Sequence, residues 1–517
     1  MNQLILSIDL GTMGCRTIIF NEKGKKLSQA YQEYQSIYFS SRWIDHDPTT
    51  WLKAAQKTVK EAMGKTNIDQ KKLSAISVTS QRATFIPVDR EGNPLDNAIL
   101  WQDKRAIAEA KFLVDIYGLK KIYAITGLRV DPYFTLPKLL WLKKNKEEVY
   151  NKAFKFLSVQ DFIIYFLTGI FKTDWTQASR TMLFNIDQFK WDEELINDVG
   201  IDFHKLPEAV PPGSIIGMLS HSAASNLGLP EGIPVIIAGG DQQCAAIGLG
   251  VVRDGLLEAN TGTGSFILTN CNKPFKDINQ RLICSASSIA GEWVLEAGIF
   301  TTGSIYRWFR DNIYFYGREE LKKINTDTYH FMNSEAEKEP IGANGLLLIP
   351  HFAASAAPYW NPEACGILFG LSLGHTCSSI IRAILEGIAF EIQKNIMIME
   401  RYIGPVKEVR ISGGLTRSEV FNQIQADVYG KPVVKIDYED ASSLGAAIVA
   451  AVKIGIYNDI VTAVDLMTKV DYSSQKIPIF LNNKIYNDLA KIHDELYRSI
   501  EKSGIYHKFN KVIDRLY

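Results

Sequence analysis

The chain lacks an excess of either charge: among its 517 residues, Lys plus Arg and Asp plus Glu number 57 each. Such a balance gives no general attraction to nucleic acid or to an anionic membrane, so neither is expected as a partner. A local basic pocket for a phosphate is compatible with it. Paired cysteines are also lacking. Cys15, Cys244, Cys271, Cys284, Cys365 and Cys377 are scattered, with no CxxC pair and no Cys/His cluster at zinc spacing. The expectation is reduced thiols in a cytoplasmic protein. The eight histidines are dispersed, which argues against a histidine metal site. No stretch approaches the ~20 apolar residues that span a bilayer. The N-terminal run MNQLILSIDLG meets Asp9 too early for a signal peptide. There is no Pro/Ser linker, low-complexity tract or short tandem repeat.

What is present is an ordinary globular composition, 46% hydrophobic and 22% charged. At about 100 to 200 residues per domain, the length suits two or three domains. Leu4 to Ile8 reads as a buried strand, followed by Asp9, Gly11-Thr12 and a second strand from Arg16 to Phe20. Asn21-Glu22-Lys23-Gly24 forms the next turn, and Lys26 to Tyr34 returns as a third strand. Asp47-Pro48 starts a helix whose apolar spacing runs from Trp51 to Met63. Ala75 to Thr79 is a strand, while Phe134 to Lys144 and Asp161 to Leu167 are helical. Alternating strands and helices define an α/β protein.

A second series begins at Pro234 to Ala238, ends in Gly239-Gly240-Asp241, and is followed by Leu256 to Asn260, Thr261-Gly262-Thr263-Gly264 and Ser265 to Leu268. Strand, Gly-Thr turn, strand thus occurs twice. This predicts two related halves, 1–250 and 251–517, with a cleft between them. Ile411-Ser412-Gly413-Gly414 closes a strand before a helix. Ser443 to Ala447 opens a small-residue helix, suited to close packing or close approach of a ligand.

Paired Gly-Thr hairpins suit phosphate. Gly lets the backbone approach a ligand, and Thr hydroxyls and amides donate to phosphate oxygens. Asp9, just before the first hairpin, can hold Mg²⁺ through waters, and Arg16 after it can reach a transferring phosphoryl group. A single DLGT is most simply an ordinary turn; its recurrence as TGTGS shifts the balance to phosphate. Gly64-Lys65-Thr66 imitates a P-loop end, but Val59 stands where the upstream Gly belongs, so it reads as a helix end. No GxGxxG follows a strand. Asp241, at the end of an apolar strand and before Gln242-Gln243, either caps a helix or accepts a proton from an alcohol as it attacks phosphorus.

In combination these segments resemble the FGGY carbohydrate kinases over most of the chain. The resemblance rests on ILSIDLGTMGCRTIIF from Ile5, TSQRATFIPVDREGNPLDNAILWQDKRA from Thr79, GGDQQCAAIGLG from Gly239 and ANTGTGSF from Ala259. PYWNPEACGILFGLSLGHT from Pro358 and ISGGLTRSEVFNQIQADVYGKPV from Ile411 extend it. It implies two ribonuclease-H-like, actin-like ATPase domains with a nucleotide cleft between them, ATP with Mg²⁺, and a homodimer. TGLRVDPYFTLPKLLWL from Thr126 and TDWTQASRTMLFNI from Thr173 are most similar to glycerol kinases.

That resemblance implies a polyol site of Arg82, Trp101, Tyr133, Asp241 and Gln242, with Asp241 catalytic and Asp9 and Asp241 serving Mg²⁺, mainly through water. It implies nucleotide contacts at Thr12, Arg16, Thr263, Gly303, Arg307, Gly414 and Ser418. Glycerol kinases tend to have Gln and Asn where Arg307 and Ser418 stand. Ala83 replaces their substrate-binding Glu, which puts glycerol in question and makes room for a four- or five-carbon acceptor. The expected activity is ATP-dependent phosphorylation of a small polyol or sugar. The alternatives are a pentulose kinase such as a xylulokinase, a gluconokinase, a signal-molecule kinase and, more remotely, a non-enzymatic actin-like ATP switch. Pro358-Tyr359-Trp360 reads as packing beneath the domain interface, and Lys120-Lys121 and Lys143-Lys144 as solvated helix faces.

Overall fold

The computed structural model describes residues 3–40, 42–65, 68–436, 440–513 and 515, except for the side chain of Tyr316. The chain forms two compact units that are interleaved in sequence. The first comprises Met1–Arg253, Asn270–Leu295 and Asp440–Lys469; the second comprises Asp254–Thr269, Glu296–Glu439 and Val470–Tyr517. Among the described residues no helix is long and apolar enough to cross a membrane. All six cysteines are free.

The first unit is organised by a six-stranded sheet in the order Ser214–Met218, Pro234–Gly240, Leu73–Ser80, Leu4–Leu10, Gly14–Asn21 and Lys26–Glu33. Its last three strands are the expected antiparallel meander. Leu73–Ser80 runs parallel to both Leu4–Leu10 and Pro234–Gly240. Strands buried on both faces need continuous apolar runs, as Leu4, Ile5, Leu6 and Ile8 and Val235 to Ala238 supply. Because the three central strands are parallel, Leu10, Ser80 and Gly240 all end at one edge of the sheet, where ligands of α/β proteins bind.

Helices cover the sheet. Pro48–Gly64 buries Trp51, Ala54, Ala55, Thr58, Val59 and Ala62, one face at helical spacing. Its start is set locally: Asp47 accepts from the Thr49 amide, and Pro48 stands at the first helical position. It ends at Gly64 as expected, and Thr66 lies outside the described residues. The small-residue helix Ala441–Lys453 packs against Asp241–Gly248. A Cβ on Gly445 would collide with the Cys244 carbonyl, and one on Gly248 with the Ala441 carbonyl. The glycines here serve helix-to-helix approach.

In the second unit, Leu256–Thr261 pairs antiparallel with Ser265–Cys271 and parallel with Glu408–Ser412, which pairs in turn with Val433–Lys435. The 27-residue helix Cys377–Ile403 is largely buried. Helix Phe480–Ser503 buries Tyr486, His493 and Tyr497 along one side. Tyr359 stacks on Tyr497 with ring centroids 3.8 Å apart, so Pro358-Tyr359-Trp360 brings an aromatic ring into packing within this unit.

Candidate active site

Asp9 is the penultimate residue of strand Leu4–Leu10, opposite Arg16 in register. One carboxylate oxygen, Oδ1, is enclosed and has no hydrogen-bond partner among the described residues. Burial first and the charge of Asp241 second push the Asp9 carboxyl up to about 7, against the opposing pull of Arg16 and a hydrogen bond from Ser442. An enclosed oxygen with spare lone pairs beside a second carboxylate is a donor set suited to a hard divalent cation. Arg16 is drawn toward Asp440, with which it forms an ion pair. Asp440 also accepts from Lys26 Nζ at 2.9 Å, and the Arg16 guanidinium lies 5.3 Å from the Tyr31 ring centroid.

The first Gly-Thr hairpin is closed by the Gly11 amide donating to the Gly14 carbonyl at 3.0 Å. Tyr34 Oη and Gln81 Nε2 both donate to the Gly11 carbonyl, at 2.6 and 3.2 Å. Trp101 Nε1 donates to Thr12 Oγ1 at 2.9 Å. The expected phosphate hairpin is therefore fastened to the expected acceptor wall by a side-chain hydrogen bond.

The residues expected on the acceptor side all lie within the first unit. Arg82 is buried; its Nε lies 3.5 Å from Asp241 Oδ1, and its Nη1 donates to Gln243 Oε1 at 3.2 Å. Gln243 donates in turn to the Ala286 carbonyl at 3.3 Å. Gly239 has φ +124°, a conformation closed to other residues, and the Gly240 amide donates to Thr176 Oγ1 at 2.7 Å. This bend turns Asp241 out as the first residue of its helix, where its Oδ1 accepts from the Gln242 amide at 2.7 Å. The Trp101 and Tyr133 rings meet at 5.3 Å and 60°, with the Arg180 guanidinium 5.6 Å from the Tyr133 centroid. Ala83 is buried with φ +60°. Gln243, Arg180, Asp440 and Ser442 were not anticipated as site residues.

The second hairpin is fixed within its own unit. The Gly303 amide donates to the Gly262 carbonyl at 3.0 Å, and the Thr302 and Ser304 amides both donate to the Thr263 carbonyl at 3.1 Å. A Cβ on Gly303 would strike the Gly262 carbonyl, so this contact requires glycine. Arg307 projects, exposed, from helix Gly303–Trp308. Gly413, with φ +96°, passes so close to the Thr261 carbonyl that a Cβ would lie 2.5 Å from it. Gly414 faces open space. Ser418 is buried as the N-cap of Glu419–Tyr429, accepting from the Phe421 amide at 3.3 Å.

Two carboxylates and a buried arginine at the sheet edge, with an aromatic pair tied to the first hairpin, have the chemistry that a polar small molecule and a phosphate require. Family models specify it further. Residues 4–248 match the N-terminal domain of the FGGY family of carbohydrate kinases, and residues 257–454 match its C-terminal domain. The chain belongs to this family. It is 34% identical over 460 residues to the glycerol kinase of Thermococcus onnurineus, covering 88% of this chain and 90% of that protein. The crystal structure of Plasmodium falciparum glycerol kinase with ADP superposes with a TM-score of 0.84 at 26% identity, covering 97% of this chain and 98% of that one. Ligand-bound xylulose kinase from Lactobacillus acidophilus shares the fold, with a TM-score of 0.91 at 24% identity and coverage of 98% and 100%. The expected two-domain α/β architecture with mixed sheets is the one these kinases share. The protein is thus a carbohydrate kinase, a phosphotransferase with an alcohol acceptor that uses ATP. Family membership decides against the non-enzymatic switch.

Proposed function

We propose that the acceptor is a short polyol or a four- to five-carbon sugar, held by Arg82 between the Trp101 and Tyr133 rings and phosphorylated at a hydroxyl facing Asp241. The observation that carries this reading is the 3.5 Å approach of Arg82 Nε to Asp241 Oδ1 at the sheet edge. Arginine presents fixed donors to hydroxyl oxygens, and the flat rings cover C–H faces. Asp241 accepts the hydroxyl proton as the alcohol oxygen bonds to the γ-phosphorus of ATP and the bond to the bridging oxygen breaks, releasing ADP.

Asp9, with its unpartnered Oδ1, and Asp241 are the residues that fit Mg²⁺, Asp9 mainly through water. When bound there, the ion would supply positive charge to the phosphate oxygens. Thr12 and Arg16 on the first hairpin, and Thr263, Gly303, Arg307, Gly414 and Ser418 in the second unit, complete the proposed nucleotide contacts. Gly303 and Gly413 support this by holding backbone close to the second hairpin.

Ala83 favours a second, narrower reading, in which the acceptor is one of the four- to five-carbon compounds and not glycerol. No carboxylate stands at that position to accept a hydroxyl hydrogen bond, and a site lacking one member of its set loses discrimination for the small acceptor. A coupled ADP-release assay with MgATP tests both. The panel is glycerol, dihydroxyacetone, erythritol, ribitol, xylitol, D-xylulose, D-ribulose, L-ribulose and gluconate. Turnover on glycerol supports the first reading. Turnover confined to the longer acceptors supports the second, and silence on all of them contradicts both.

A further inference from the structure

Helix Thr135–Asn145 buries Lys138 completely, with no accessible surface. A hydrophobic residue is the ordinary occupant of such a position, since burying an ammonium is costly unless its hydrogens find partners. Here they do. Lys138 Nζ donates to the Ala83 carbonyl at 2.8 Å and to the Leu100 carbonyl at 3.0 Å. Each carbonyl belongs to a residue adjoining a proposed acceptor contact, Arg82 in one case and Trp101 in the other.

The two segments that Lys138 bridges also pair by backbone, the Leu95 amide donating to the Pro87 carbonyl at 2.9 Å and Val88 bridging Pro94 at the end away from Arg82 and Trp101 in sequence. Phe85 and Ile99 exchange backbone hydrogen bonds at 3.4 and 3.2 Å, and the Trp101 amide donates to Thr84 Oγ1 at 3.1 Å. Ala83 itself sits at φ +60°, which a side-chain-bearing residue adopts at a cost and keeps only where its surroundings enforce it. The carbonyl held by Lys138 is that of this strained residue. Burial pushes the Lys138 ammonium down to about 7; Asp103 and Asp131 oppose the shift and Arg105 adds to it. So the neighbourhood carries charge of both signs.

We propose that Lys138 is a positioning residue for the transfer reaction: by gripping the carbonyls of Ala83 and Leu100 together, it sets the spacing between Arg82 and Trp101. It touches neither substrate nor reacting atoms. The proposal rests on the acceptor reading of Arg82 and Trp101. It separates the roles of two lysine types in one helix, since Lys143 and Lys144 lie in the last turn and are exposed.

The test uses the full chain with glycerol and D-xylulose as acceptors. Lys138→Met keeps the volume and removes the donors, while Lys138→Gln keeps N–H donors at shorter reach. Displacement of a positioned group by an ångström costs up to ~100-fold, so Lys138→Met is expected to raise the acceptor KM by about 10- to 100-fold. The dissociation constant for ADP, read by calorimetry, is expected to stay within about twofold. Lys138→Gln is expected to recover part of the acceptor KM, and it carries the test if Lys138→Met does not fold. A wild-type acceptor KM in Lys138→Met, or in Lys138→Gln where that variant carries the test, overturns the proposal, as does a parallel loss of acceptor and ADP binding. Arg82→Met is measured alongside. If it raises the acceptor KM while Lys138→Met does not, only the positioning role fails; if it leaves the KM unchanged, the acceptor reading falls and the proposal with it.

Discussion

The backbone at Gly240 offers a perturbation whose size follows from distances. A Cβ added there would lie 2.6 Å from Arg82 Cδ, 2.7 Å from Arg82 Cγ and 2.8 Å from Gln243 Oε1. Carbon atoms rest about 3.5 to 4.0 Å apart, so Gly240→Ala must displace the middle of the Arg82 side chain by roughly 1 Å. Arg82 is buried and hydrogen-bonded to Gln243, so it cannot swing into solvent. Overpacking of this kind costs about 1 to 3 kcal/mol of stability, which lowers Tm by a few degrees. The larger effect falls on catalysis. The displaced guanidinium is the one 3.5 Å from Asp241 Oδ1, and an ångström of misplacement costs about 100-fold in rate. The assay is kcat/KM for the acceptor by coupled ADP release, with Tm by calorimetry on the same preparation. The expectation is a fall in kcat/KM far beyond what the modest loss of Tm explains. Full activity with an unchanged Tm would refute the packing argument and the role given to Arg82.

Three further outcomes are expected. Ala83→Gly relieves the positive φ and should stabilise the protein by about 1 kcal/mol in chemical denaturation, whereas Ala83→Val should destabilise it. Asp161 is buried, and burial raises its carboxyl to about 7, above its unfolded value of 3.8. The folded state therefore holds the extra proton between those values, so its contribution to stability falls as pH rises from about 4 through 7. Asp161→Asn should then gain stability relative to the parent at pH 8, by up to a few kcal/mol, with the difference shrinking toward pH 5 in urea titrations. Trp101→Phe removes the donor to Thr12 Oγ1 and should weaken acceptor binding by about 1 kcal/mol, read as KM, with Thr12→Val adding little to the double variant.

The parts of the fold that local chemistry specifies were legible in the sequence. Asp47-Pro48 signals a helix start because an N-cap carboxylate and a proline free of an amide both suit the first turn. The opening meander follows from apolar strands separated by Gly-Thr and Asn-Glu-Lys-Gly turns. Asp9 and Asp241 are legible because a carboxylate closing an apolar strand stands out. Long-range placement was hidden. Lys138 sits in LPKLLWLKK, where nothing local distinguishes a buried lysine from the exposed Lys143 and Lys144. Asp440 follows Leu10 by most of the chain, yet the helix it precedes returns to the first unit, and its ion pair with Arg16 depends on that return. Ala83 shows in the sequence as a missing carboxylate, but its left-handed backbone has no signature in an alanine. Gln243 reads as a helix residue until the bend at Gly239 aims it at Arg82.

Everything proposed for the chemistry turns on Asp241 accepting the proton of the alcohol. Single-turnover phosphoryl transfer from MgATP by Asp241→Asn, with ADP affinity measured on the same sample, tests it most directly. The expected result is ADP affinity within about twofold of the parent and a transfer rate lower by about 100- to 10,000-fold, the range a positioned general base supplies. Transfer at a near-parental rate would contradict it.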